Sequence, residues 1–322
     1  MRARSVVWIA GFLFVAAQSA NGAEEAGTPG NELSLPEIAA FDPRQDLAYG
    51  AYQRGEYLTA FSLALDRAKS GDAAAQTLIA RIYDQGLGIR RDTKEAVQWY
   101  KLAADAGNHE AQFAYAMKLI EGADVAPDRK AAIGLLRQAA DSGHALAAFN
   151  LAQLLIAEDP GPAGFAKALP LLETSAAAGV ADAQYALAQV HANGNGAPRN
   201  DEKARSHLEL AAKGGHATAQ VELAIWLANG RGGPADQNSA FAWMQSAARG
   251  GQVIARNRLA KMLALGIGTP VDKVGAATWH LLARREGLGD DFLDGMVANL
   301  SKDDLETAMA AANAYPAPRR PR

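Results

Sequence analysis

Glycine recurs along this chain with a fixed period of 36 residues. It stands at Gly71, Gly107, Gly143, Gly179, Gly215, Gly251 and Gly287, and a period of that length belongs to chains that stack one supersecondary unit on the next. With each glycine as unit position one, position five is alanine in all six complete units, from Ala75 to Ala255. Position ten is alanine from Ala80 to Ala260, and position 26 from Ala96 to Ala276. Three invariably small places per unit require helices that approach too closely to admit a larger side chain. Residues 71–286 are therefore six copies of one helical unit.

Local punctuation divides each unit into two helices. In unit one, residues 72–84 carry an apolar stripe of Ala75, Ile79, Ala80 and Tyr83 at helical spacing, and Gly86-Leu87-Gly88 ends it. Asp92 then stands where an N-cap belongs, with Glu95 three residues on, and a second helix runs to Gly107. The same cap place holds Asp128, Asn200, Asp236 and Asp272, but Gly164 in unit three. Units two and three also replace the Gly-x-Gly pair, with Gly122-Ala123-Asp124 and Glu158-Asp159-Pro160, so irregular turns are expected in both. Residues 46–70 read as an N-terminal capping helix pair, because Ala60 keeps phase with position 26. Residues 287–314 read as C-terminal capping helices, the last opened by Ser301-Lys302-Asp303-Asp304. The tail 315–322, YPAPRRPR, is expected to be disordered.

The first residues are predicted to be an address. Arg2 and Arg4 precede the apolar run VVWIAGFLFVAA, and small residues lead to Ala23 before Glu24-Glu25. That is the pattern of a secretory signal peptide over residues 1–23, cleaved after Gly22 or Ala23, with a run too short to span a bilayer. Residues 24–45 then form a flexible linker. The expected protein is periplasmic or secreted, with no stable membrane insertion after cleavage. A formal charge of −3 supplies no basic field for phosphate backbones, which argues against nucleic acid as a partner. The absence of cysteine excludes disulfides, thiolate nucleophiles and cysteine-held metals.

The unit, with Ala75-Gln76, Tyr83, Gly86, Gly88, Asp92, Ala96, Trp99-Tyr100 and Ala103-Ala104 in its fullest copy, resembles the Sel1-like repeat, a relative of the tetratricopeptide repeat. The resemblance covers about two thirds of the chain. It implies an all-α fold, a right-handed α-solenoid of antiparallel helix pairs that serves as a scaffold for other proteins. It also implies, for an exported bacterial member, a place in envelope signalling or surface biogenesis. Some cysteine-rich bacterial members bind or hydrolyse β-lactams with a disulfide clamping each helix pair, and this chain has no cysteine to clamp with.

A search for chemistry finds little. Gly-x-Ser-x-Gly, Ser-x-x-Lys and Gly-Lys phosphate-loop signatures do not occur. His109-Glu110 begins as a zinc-protease helix would, but Phe113 stands where the second histidine must be. His144, His191, His207, His216 and His280 read as structural, Asp290, Asp291 and Asp294 as a solvated polar end, and Trp99, Trp243 and Trp279 as core anchors at position 29. No cofactor or metal is expected, and no catalytic residue.

One face resists so plain a reading. Positions 4, 7, 11 and 14 of the first helix lie opposite its core stripe, yet hold Phe113, Met117, Phe149, Tyr185 and Ile225, with Leu146 and Ile156. By the resemblance this face lines the concave groove. Two readings stand: a trough for a protein or peptide partner, flanked by Arg81, Glu110, Asp182 and Lys261, or packing between successive units. The first makes Phe113, Met117, Phe149, Tyr185 and Ile225 the binding residues of a non-enzymatic envelope scaffold. A cell-wall or β-lactam hydrolase and a passive spacer are its rivals.

Overall fold

The structure, a computed structural model, describes residues 47–315. The predicted signal segment, the linker and the tail after Tyr315 lie outside the described residues. Helix α1 (Leu47–Gln53) and α2 (Tyr57–Lys69) come first. The six units follow as pairs: α3 (Ala73–Gln85) with α4 (Thr93–Asp105), α5 (His109–Glu121) with α6 (Arg129–Asp141), and α7 (Ala145–Glu158) with α8 (Pro162–Ala177). Then come α9 (Ala181–Asn193) with α10 (Asp201–Lys213), α11 (Ala217–Asn229) with α12 (Gln237–Arg249), and α13 (Val253–Leu265) with α14 (Lys273–Arg285). Helices α15 (Asp291–Ala298) and α16 (Lys302–Ala314) close the stack. From α1 to α14 each helix packs chiefly on its neighbours in sequence, which is the contact pattern of an α-solenoid, and α16 passes over the short α15 to pack on α14.

The periodic residues explain the stack. Every alanine at positions five, ten and 26 is buried, from Ala111 and Ala116 to Ala240 and Ala276. They let the backbones close up around large apolar side chains at positions nine and 30, such as Leu151, Leu223 and Leu259, and Leu136, Leu172 and Leu208. Full burial of each such leucine contributes about 1.5–3 kcal/mol. The ruler glycines serve a different need. All seven have φ between 85° and 96°, a left-handed conformation that an L side chain adopts only at a cost. A Cβ at Gly143, Gly179 or Gly215 would meet nothing within 4 Å, so backbone direction and not space fixes the residue.

Side chains complete the joints. Asp92, Asp128, Asn200, Asp236 and Asp272 each accept from the backbone N–H three residues on, satisfying a donor the helix cannot. At position six a glutamine reaches back to the end of the preceding second helix. Gln76 donates to the Ala68 carbonyl at 3.0 Å, Gln112 to Ala104 at 3.4 Å, Gln184 to Ala176 at 2.8 Å and Gln220 to Ala212 at 3.3 Å. Arg256 does the same to Ala248 in unit six. Unit three has Ala148 and lacks this strut.

The two turns expected to be irregular differ. Unit two keeps the regular path, because Gly122 takes φ 68° and Asp124 takes φ 62° in the place of the second glycine; Asp is among the few residues that tolerate this region. Unit three does not. Helix α7 runs on to Glu158, and α8 starts at Pro162 behind an N-cap at Gly161, so that Gly164 lies inside the helix and not at its cap. Proline suits a first helical turn, and Gly164 must lack a side chain because a Cβ there would collide with the Asp159 carbonyl.

Candidate functional site

The first helices of successive units lie side by side, and their junctions define the face singled out above. Phe113 on α5 stacks on the His144 ring, with centroids 4.7 Å apart and planes at 27°. Tyr185 on α9 does the same with His216, at 4.3 Å and 21°. Both histidines cap the next first helix. His144 Nδ1 accepts from the Ala147 N–H at 3.1 Å, and His216 Nδ1 from the Ala219 N–H at 3.0 Å. Nδ1 must then be unprotonated and Nε2 carries the hydrogen, facing Glu110 at 3.5 Å and Asp182 at 3.4 Å. Burial holds the His216 pKa below the usual histidine range, and the bond from His144 holds Glu110 below the usual carboxylate range. At the intervening junction Val180 replaces the capping histidine, and both it and Phe149 pack against the buried cluster that includes Leu172 and Leu187.

The five residues proposed from sequence are thus all half-buried, and they are not equivalent. The rings of Phe113 and Tyr185 spend much of their surface on the next unit's histidines. Met117 and Ile225 lie at position 11, which faces position four of the following unit. That register is fixed at the two ends of the repeat array, where Arg81 pairs with Glu110 at 3.4 Å and Lys261 with Asp290 at 2.5 Å. The same two places hold Met117 with Leu146 at the second junction and Ile225 with Ile254 at the fifth. Ile254 is 59% exposed. The charges expected to flank a trough are tied into these junctions, with Asp182 beside His216.

Two residues of this face escaped the reading of the sequence. Ile254 sits at position four, where the other units carry Ala74, Glu110, Leu146, Asp182 and Thr218, and comparing that position alone reveals it. Glu222 sits at position eight, otherwise Leu78, Ala114, Asn150, Ala186 and Arg258. Its carboxylate crosses to α9, accepting from the Tyr185 hydroxyl at 3.1 Å and from Gln189 Nε2 at 2.9 Å. Burial pushes its pKa up.

A concavity of about 620 Å³ opens between α8, α9 and α10 around His191 and His207. These occupy positions 13 and 29, where unit one has Tyr83 and Trp99 and unit five Leu227 and Trp243. Their rings lie 5.6 Å apart and 7° from parallel. Gln184 donates to Ala176, so its Oε1 accepts from His207 Nδ1 at 2.7 Å. Among the described residues no group of three or more histidines and acids is placed to hold a metal ion. At the C-terminal end, His280 Nε2 donates to Asp294 at 2.7 Å and Arg284 to the same oxygen at 3.0 Å, while Asp290 caps α15. Asp290 and Asp294 are thus paired with Lys261 and Arg284, and of the three acids Asp291 alone is exposed.

The repeat itself identifies the chain's relatives. The Sel1 repeat pattern matches residues 73–108, 109–144, 181–216, 217–252 and 253–288, together more than half of the sequence, and omits the irregular unit three. Among solved structures, the Sel1 repeat protein from Oxalobacter formigenes is 29% identical over 74% of this chain and 98% of its own, with a TM-score of 0.66. The protein c5321, a protective antigen of uropathogenic Escherichia coli strains displaying an SLR fold, is 25% identical over 84% of this chain and 67% of its own, with a TM-score of 0.54. No curated protein matches the sequence. The chain belongs to the Sel1 repeat family.

Proposed function

We propose that this chain is a non-enzymatic interaction scaffold of the periplasm that holds a protein or peptide segment along its first helices, in the service of envelope signalling or surface biogenesis. The observation that carries the reading is the pair of apolar junctions, Met117 with Leu146 and Ile225 with Ile254, on a face whose most exposed apolar member is 59% open to solvent. Exposed apolar surface framed by polar groups is the usual ground for docking. A scaffold also fits the fate of the titratable groups: capping, pairing and bridging occupy the histidines and acids that a reacting centre would need. Localisation rests on the sequence of residues 1–23 alone. Crosslinking in the intact envelope identifies the partner, and titration of that purified partner tests the face. Truncating Met117 or Ile225 to alanine is expected to weaken binding by about 1–4 kcal/mol with helicity unchanged. Unchanged affinity in both variants overturns the assignment.

A further inference from the structure

The junctions of the first helices form an ordered series. Ion pairs close both ends, Arg81 with Glu110 and Lys261 with Asp290. Inside them lie the two apolar junctions, Met117 with Leu146 and Ile225 with Ile254. Between the apolar junctions the face is acidic, with Asp182 on α9 and Glu222 on α11. Glu222 is the telling group. Its donors among the described residues, the Tyr185 hydroxyl and Gln189 Nε2, are both neutral. Arg231, the cation whose field reaches it, is engaged elsewhere, pairing with Asp201 at 3.0 Å and lying 3.8 Å above the Trp226 ring. A half-buried carboxylate hydrogen-bonded only to neutral donors has lost part of its hydration and gained only the field of a cation committed elsewhere. A cation arriving from outside the chain would supply it. The next charge at this unit position, Arg258 on α13, is exposed and lies a full unit further on, beyond the stretch that contains both acids.

We infer that the occupant of this face is an extended segment carrying a lysine or arginine between two apolar side chains, with its cation against Glu222 and its apolar residues against the Met117–Leu146 and Ile225–Ile254 junctions. The inference rests on the first-helix face being the binding face and adds the chemistry of what binds there. An acidic segment would bring like charge to Asp182 and Glu222. A purely apolar one would cover Glu222 and leave its charge uncompensated.

Selection of random phage-displayed peptides on the full chain and on its Glu222→Gln variant tests this. Peptides retained by the natural chain should be enriched in lysine or arginine flanked by apolar residues. On Glu222→Gln the apolar enrichment should persist and the basic enrichment should vanish. A synthetic peptide from the first pool should bind Glu222→Gln about 10-fold more weakly, and its lysine→norleucine analogue should lose a similar factor on the natural chain. That second comparison needs no variant, so a folding defect in Glu222→Gln would not spoil it. Basic residues absent from the first pool, or equally enriched on Glu222→Gln, overturn the inference and leave the binding face standing. No enrichment at all, or selected peptides that bind Ile254→Asp as well as the natural chain, overturns both.

Discussion

Units three and five are built on the same period and solve it differently. Unit five, α11 with α12, has a histidine cap, a glutamine strut from Gln220 to Ala212, a glycine-bearing turn and an Asp236 cap on its second helix. Unit three, α7 with α8, keeps its first cap at His144 but loses the strut, the turn glycines and the side-chain cap of its second helix. Yet Ala147, Ala152 and Ala168 are as fully buried as Ala219, Ala224 and Ala240. The glycines that bracket unit three, Gly143 and Gly179, also keep the left-handed conformation. What survives the divergence is close approach of helices and the direction of the chain between units. Turns and struts refine that stack without defining it.

The comparison breaks first at the alanines. Ala188→Leu and Ala224→Leu should each cost about 1–3 kcal/mol by overpacking, and Ala152→Leu in unit three should cost as much, read from urea unfolding. A tolerant Ala152 beside an intolerant Ala224 would mean that unit three is loosely packed and held by its neighbours. The ruler glycines come next. Gly215→Ala and Gly143→Ala meet no steric obstacle, so each should lose about 1–2 kcal/mol from backbone strain alone, with equal values in both units.

The strut sharpens the contrast between units. Gln220→Ala removes one of the two donors to the Ala212 carbonyl, leaving the Gly215 N–H, and should cost about 0.5–1.5 kcal/mol, whereas Ala148→Gln offers unit three the strut it lacks and should raise its melting temperature. Failure of Ala148→Gln to stabilise would show that the joint between α6 and α7, where Ala148 is fully buried, is closed too tightly to admit the strut. Smallest is the effect of acid. Burial depresses the pKa of His207 and His216, so the unfolded chain takes up their protons first. Their contribution is intact above the ordinary histidine pKa of about 6.5 and is lost as pH falls below it. His216→Asn, which preserves a capping side chain, should flatten the fall in stability between pH 7 and 5.

The fold was legible because its determinants repeat. Six copies of one constraint average away the local ambiguity of any helix boundary, and a glycine every 36 residues marks a conformation that other residues resist. The role of the position-six glutamine was not legible. Ala75-Gln76 reads as part of a motif, but its partner lies across the joint on another helix, and no helical periodicity points there. Unit two's turn was misread for a similar reason: Asp124 fills a glycine conformation, and composition does not report φ. On the candidate site, sequence located the apolar face but could not divide its residues. Whether Phe113 and Tyr185 face solvent or the next unit depends on His144 and His216, which stand at the next unit's cap, 31 residues on. Glu222 and Ile254 were hidden by the opposite difficulty, since each occupies a position that has no consensus to violate.

Two exposed apolar side chains of comparable openness make the decisive pair: Ile254 on a first helix, 59% exposed, and Leu210 on a second helix, 49% exposed. Each is replaced by aspartate in the full chain, and the affinity for one selected peptide is measured by titration calorimetry. The account predicts a loss of tenfold or more for Ile254→Asp and no change for Leu210→Asp, with both variants fully helical. Equal losses, or a loss confined to Leu210→Asp, would contradict it.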